Sequence, residues 1–300
     1  MGNFEQLSKV YKDAKVIPYD SNSKIVMMSD CHRGVGNWGD NFLFNQNLFW
    51  AALNYYYDEG FTYIELGDGD ELWENRNMKD IIKVHSNTFW LMSKFYNENR
   101  LYMIYGNHDK VKKDEEVFSK NYKEYYCETR KQVCDLFPDM KVYEGLVLED
   151  INSKNRIFLI HGNQGDFIND RGWKLGRVLV RYLWRMLELA GIKDPTRAAK
   201  SDDKKNKVEE NLMKWAEMEN KMLIAGHTHR PNFPKVGEPM YFNDGSCVHP
   251  RCITAIEIDK GEIALVKWTI MTREDRSLYV AKEILEGPVK IDNFFKGKDV

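Results

Sequence analysis

Residues 101–109 read LYMIYGNHD. The apolar run Leu101 to Tyr105 predicts a short buried strand, after which the chain turns at Gly106 into a carboxamide, an imidazole and a carboxylate. The same arrangement recurs along the chain. Residues 24–29 (KIVMMS) run into Asp30-Cys31-His32, and residues 61–66 (FTYIEL) into Gly67-Asp68. Arg156–Ile160 (RIFLI) runs into His161-Gly162, and residues 221–225 (KMLIA) into Gly226-His227-Thr228-His229. Five of the seven histidines, His32, His108, His161, His227 and His229, therefore follow predicted strands directly, and His85 and His249 are the others. Stretches of helical period at 42–57 and 81–97 separate the first three strands, which predicts crossover helices and a parallel sheet. Ligands gather at the carboxyl ends of strands in such sheets, so these loops are expected to converge on one rim.

Composition narrows the classes. A chain of 300 residues with 43% hydrophobic and 30% charged content can bury a large core. Its 44 basic and 46 acidic residues leave a net charge of −2, without the basic footprint of a dedicated nucleic-acid binder. No apolar run approaches the roughly 18–20 residues that span a bilayer, and the first residues are too polar for a signal peptide, so a cytoplasmic location is expected. Five cysteines without CxxC spacing predict reduced thiols.

The remainder predicts a solvated helical stretch at 110–131, a hairpin of 145–149 with 156–160, and strands at 240–243, 253–258 and 262–270. The expected organisation is a single domain over 1–300, with a helical cap inserted at about 169–220 and a tail at about 271–300 in which no chemistry is legible. Between Arg171 and Lys214 stand twelve basic and six acidic residues, a local charge of +6. Lys174, Arg177, Arg181 and Arg185 form one stripe at helical spacing, with Val178, Tyr182 and Met186 on the apolar side. Such a helix either shows solvated arginines to water or sets Arg177 and Arg181 against substrate phosphates or anionic headgroups, with peripheral membrane contact.

Imidazole, carboxylate and carboxamide together suit Mn, Fe, Zn or Ni rather than a soft thiolate metal. Residues spaced i and i+2 at a strand end point the same way, so Asp30 with His32, and His227 with His229, can each serve one locus. Each fragment alone is common. The ordered series DxH, GD, GNHD, HG and GHTH resembles the calcineurin-like metallophosphoesterase superfamily over residues 24–270. LGDGDELW at 66–73 and GHTHRP at 226–231 are nearest to the UDP-2,3-diacylglucosamine pyrophosphohydrolase-like group. The chain departs from that group in having His108 where arginine is usual, Asn163 after His161-Gly162, and Arg33 after the first motif.

The resemblance implies a four-layer α/β/β/α sandwich holding two divalent ions, manganese first, with Fe, Zn or Ni as alternatives. By it Asp30, His32 and His229 bind one ion, Asn107, His161 and His227 the other, and Asp68 bridges them. Such a pair clamps phosphate oxygens and lowers the pKa of a bridging water, so that hydroxide attacks phosphorus in line. His108 is implied as the general acid, held by Asp109, while Arg33, His249 and Arg251 join Arg177 and Arg181 as candidate substrate contacts. The expected function is hydrolysis of a phosphodiester or pyrophosphate bond in a small nucleotide-linked or lipid-linked substrate, with no obligate protein partner. The alternatives are a phosphomonoesterase or protein phosphatase, a non-catalytic metal-binding scaffold on the same fold, and a nuclease.

Overall fold

The computed structural model describes residues 3–127, 131–165 and 199–296. Helix α1 (Asn3–Asp13) leads into β1 (Lys15–Tyr19) and β2 (Ile25–Met28). Then come α2 (Gln46–Asp58), β3 (Thr62–Leu66), α3 (Met78–Val84), α4 (Ser86–Asn97), β4 (Leu101–Ile104) and α5 (Glu115–Tyr122). Short strands β5 (Glu124–Cys127), β6 (Gln132–Asp135) and β7 (Val142–Tyr143) precede β8 (Gly145–Asp150) and β9 (Arg156–Ile160). The described chain resumes with α6 (Ala199–Met218), β10 (Met222–Ala225), β11 (Tyr241–Asn243), β12 (Cys252–Asp259), β13 (Glu262–Thr272), β14 (Leu278–Lys290) and α7 (Ile291–Phe295).

Two sheets form. One has the order β14-β13-β12-β2-β3-β4-β7, the other β1-β8-β9-β10-β11. β2, β3, β4 and β7 are parallel, as the crossover pattern predicts, and β8 pairs antiparallel with β9 as the expected hairpin. A strand covered on both sides carries apolar residues at every position, which is how β2 (IVMM) reads. Its odd and even residues serve different layers. Ile25 and Met27 join Ile64, Leu66, Leu148, Leu159 and Ile224 in the core between the sheets. Val26 and Met28 face Phe49, Leu53, Phe89 and Phe95 of α2 and α4. Beyond the smaller sheet, Leu7 and Val10 of α1 and Leu212 and Trp215 of α6 cover Val147, Phe158 and Leu223. The layers thus run helix, sheet, sheet, helix.

Several elements differ from the sequence reading. The expected solvated helix at 110–131 is a 3-10 turn over Lys110–Lys113 and α-helical only over α5, and then becomes the β5–β6 hairpin. Phe118, Tyr122 and even Lys112 are buried there, because the charges that suggested a solvated face include a cation with carboxylate partners inside the protein. The helix expected at 81–97 breaks at His85, whose Nε2 lies 3.0 Å from Asp40 Oδ2. Residues 271–296 are not a tail. β13 and β14 pair from Glu262 with Lys290 out to Thr272 with Leu278, making β14 the edge of the larger sheet. The first part of the expected cap, with Arg177 and Arg181, lies outside the described residues, and its last part, α6, is one of the flanking helices instead.

Trp215 ties α6 to the smaller sheet: it is 1% exposed, with its ring 5.3 Å from that of Phe158. Trp215→Ala is expected to cost about 3–5 kcal/mol in urea unfolding, the range for an aromatic side chain deleted from a core.

Candidate metal centre

The site lies where the carboxyl ends of β2, β3 and β4 in one sheet meet those of β9 and β10 in the other. The loops are locked by backbone pairing: Asp30 N–H donates to Gly67 O at 3.1 Å, His32 N–H to Asp68 O at 2.9 Å and Arg33 N–H to Gly69 O at 3.0 Å. Asp30, His32, Asp68, His227 and His229 all have positive φ, between 48° and 69°. Non-glycine residues occupy this region at a cost that the surrounding structure must hold in place. Two glycines are required by close approach. A Cβ on Gly106 would fall 2.1 Å from Asp68 Oδ1, and one on Gly226 would fall 2.1 Å from Ser29 Oγ.

Two ligand sets are built from the motif residues, and His32, Glu71 and His108 make a third group as compact. The ligand atoms of Asp30, His32 and His229 lie within 4.8 Å of one another, as do those of Asp68, His161 and His227. His161 Nδ1 is 2.8 Å from Leu66 O, so its N–H points there and Nε2 faces inward, 3.1 Å from Asp68 Oδ2. His227 Nδ1 stands 3.3 Å from that same Nε2. Two nitrogens facing each other without a carboxylate between them suit a shared cation. Asp30 Oδ1 and Asn107 Oδ1 are buried without hydrogen-bond partners, an expensive state for such atoms and one that a metal ion relieves. The donor set fits two borderline divalent ions.

Burial by itself would raise the carboxyls of Asp30 and Asp68, but the surrounding imidazoles hold both well below the usual carboxylate range. Burial and the charge of His161 pull His227 down to about 3, so it offers a free lone pair. His161 is held at about 9, because Asp68 and Asp30 outweigh its burial.

His108 borders both sets. Its N–H donates to Asp68 Oδ1 at 2.8 Å, its ring meets that of His32 edge-on at 4.7 Å, and it stacks on Trp73 at 4.2 Å and 17°. Trp73 is fixed in turn by Nε1–H donating to Asn107 O at 2.6 Å. The expectation that Asp109 holds His108 is not met. Asp109 accepts instead from Gly106 N–H at 2.7 Å and Gly69 N–H at 3.1 Å, with Lys112 Nζ at 2.7 Å. The partner of His108 is Glu71, whose Oε2 lies 2.7 Å from His108 Nδ1 and 3.2 Å from His32 Nδ1. Burial would lower the His108 pKa, but the Glu71 and Asp68 carboxylates hold it above its ordinary value. Sequence reasoning quoted Glu71 within GDGDELW without giving it a role. The signal was its place in the loop of Asp68, which must approach the loop of His108 if Asp68 reaches both ions.

Arg33 is not a substrate contact. It is fully buried, with both terminal nitrogens on Glu65 at 2.8 and 2.9 Å and Nε on Asp70 at 2.7 Å. Lys112 Nζ joins Asp70 to Asp109 at 2.7 Å each, and Tyr122 O–H donates to Asp70 at 2.6 Å. His249 is half-buried, with its backbone oxygen taking Asn45 Nδ2–H at 2.7 Å. Burial and the nearby charge of His229 lower its pKa, which sets it on the His229 side of the centre. Arg251 is exposed at a left-handed turn, φ 66°. The structure gives it no contact with the ligand sets among the described residues.

A sequence model of the family described as calcineurin-like phosphoesterase matches residues 23–231. Two similar solved structures are of Vps29 from Chaetomium thermophilum. One is 13% identical, with a TM-score of 0.40, over 89% of this chain and 97% of that one. The other, in complex with the RaPID-derived cyclic peptide RT-D3, is 12% identical, with a TM-score of 0.34, over 88% and 95%. No curated protein matches the chain.

Lys112 is the shared counterion of two buried carboxylates. Lys112→Met is expected to cost about 3–5 kcal/mol in urea unfolding, because removing one member of a buried ionic cluster leaves the others uncompensated.

Proposed function

We propose, since this chain belongs to the calcineurin-like phosphoesterase family, that it hydrolyses a phosphodiester or pyrophosphate bond with two divalent ions, manganese the first candidate. Asp30, His32 and His229 would hold one ion, Asn107, His161 and His227 the other, with Asp68 between them. Bound there, the ions would neutralise phosphate charge and acidify water to supply the nucleophile. The observation that carries the reading is His108, beside both ligand sets, with Glu71 at Nδ1 and a side chain 23% exposed.

The chain's own groups divide the work. The Glu71 carboxylate, 2.7 Å from Nδ1, holds positive charge on the His108 ring, which leaves Nε2 to give a proton to the departing oxygen. Trp73 holds the imidazole plane by stacking, and the backbone N–H of His108 fixes the Asp68 oxygen it meets. A leaving oxygen that needs a proton is that of a poor leaving group, such as a sugar or alkyl alkoxide, so the acid serves unactivated phosphoesters. In this reading the substrate is a small nucleotide-linked or lipid-linked molecule and the enzyme acts in the cytoplasm, with peripheral membrane contact through the basic segment of Arg177 and Arg181. Among the described residues, no helix is long and apolar enough to cross a membrane.

Protein stripped of metal and reloaded with Mn²⁺ is expected to cleave bis-p-nitrophenyl phosphate faster than p-nitrophenyl phosphate, and Asp68→Asn to abolish the activity. His108→Ala should lower kcat by about 10²–10⁴ on substrates with an alkoxide leaving group and far less on nitrophenyl esters, which need no proton to depart. Equal losses on both leaving groups would remove His108 from the acid role, and a monoester preference would make the protein a phosphatase. Failure to turn over any phosphoester while binding Mn²⁺ would favour the scaffold. Glu71→Ala should depress kcat while KM stays close to wild type, checked by steady-state kinetics on the same diester.

A further inference from the structure

Asp244 is fully buried next to the first ligand set, and the proposed chemistry makes no use of it. It follows β11, where its N–H donates to Ala225 O at 3.0 Å, just before the loop of His227 and His229. Its Oδ1 lies 2.8 Å from Ser29 Oγ, and Ser29 Oγ lies 2.5 Å from Asp30 Oδ2. That Asp30 oxygen also accepts the N–H of His227 at 2.8 Å. Oδ2 of Asp30 is therefore filled, while Oδ1 has no hydrogen-bond partner and stands 3.1 Å from His229 Nε2 and 3.5 Å from His32 Nε2.

The hydrogen count is informative. Ser29 has one hydroxyl hydrogen and sits between two carboxyl groups. The shorter contact, to Asp30, takes that hydrogen, so the contact with Asp244 is a hydrogen bond only where Asp244 is the donor. The second Asp244 oxygen is buried without a partner, a modest cost for a neutral acid and a heavy one for an anion. Burial first, and then the charge of Asp30, hold the Asp244 carboxyl well above the usual carboxylate range, in agreement with that count.

We propose that Asp244 is a positioning residue of the first metal site: it donates a hydrogen bond to Ser29, which donates to Asp30 and so turns the other Asp30 oxygen toward the ion. This rests on the assignment of Asp30, His32 and His229 as metal ligands. The Asp30 oxygen that meets the loop is fixed by a relay, and the oxygen that meets the metal is left bare.

The test is calorimetric titration of the metal-free full-length protein with Mn²⁺. Wild type is expected to bind two ions. Asp244→Ala and Ser29→Ala should each weaken one of the two binding steps about 10- to 100-fold, the usual effect of removing an outer hydrogen bond from a metal ligand. Because the two groups act in series, the double variant should bind about as well as either single one. Asp244→Asn, whose amide can donate to Ser29, should bind within about threefold of wild type, a rescue that a role for a carboxylate anion would not produce, whereas Asp244→Leu, of similar bulk without a donor, should bind as weakly as Asp244→Ala. Two-ion binding unchanged in Asp244→Ala would overturn the inference alone. So would Asp244→Asn binding as weakly as Ser29→Ala, a comparison that decides the matter even where Asp244→Ala does not fold. Wild type that binds no ion would overturn the ligand assignment, and this inference with it.

Discussion

Beneath the metal centre lies a cluster of buried charge on which the site's geometry depends. Arg33 belongs to the first motif loop, Asp70 to the second, Asp109 to the third, and Lys112 to the segment that follows it. Arg33 grips Glu65 with two nitrogens and Asp70 with the third, and Lys112 joins Asp70 to Asp109. These ions are out of water, so each is affordable only while its partners stay in place. Moving any one of the three loops would strand a charge in the core. This is the force that holds Asp30, His32 and Asp68 in left-handed backbone, where their own preferences would not keep them.

Above that cluster the histidines are sorted by what meets their second nitrogen. His161 meets a backbone carbonyl, which fixes its tautomer and leaves Nε2 for a metal. His32 and His108 both meet Glu71, and differ in what lies across the ring: Asp30 and Asp68 within 3.9 Å of Nε2 for His32, and the indole face of Trp73 for His108. One carboxylate thus meets both a proposed ligand and the proposed acid. Two neighbouring imidazoles acquire different chemistry from their surroundings, not from their identity.

The ligand set was legible because each motif residue directly follows an apolar run, and a strand's carboxyl end fixes the direction of what comes next. β2, β3, β4, β9 and β10 were legible for the same reason. What stayed hidden depends on contacts between distant loops. Arg33 looks like a surface cation in sequence, and only the return of β3 beside it shows Glu65, in the middle of an apolar strand, as its partner. Lys112 sits in a run of charges that resembles a solvated face, and Asp109 is adjacent to His108 but directed to Gly69 and Gly106. Strand β14 escaped notice because most of it is exposed: Leu278 is 69% exposed and Ile284 57%, so the alternation that marks a half-buried strand is missing.

The ligands come from both sheets. Asp30, Asp68 and Asn107 stand at the ends of β2, β3 and β4, while His161 and His227 stand at the ends of β9 and β10. A chain that has assembled only one layer therefore owns only part of each proposed coordination sphere and would retain neither ion tightly. Under the proposed function, metal capture would act as a proofreading step on the architecture itself: the ions would reward only chains in which the two sheets have already been stacked in register, and a misassembled copy would be left empty.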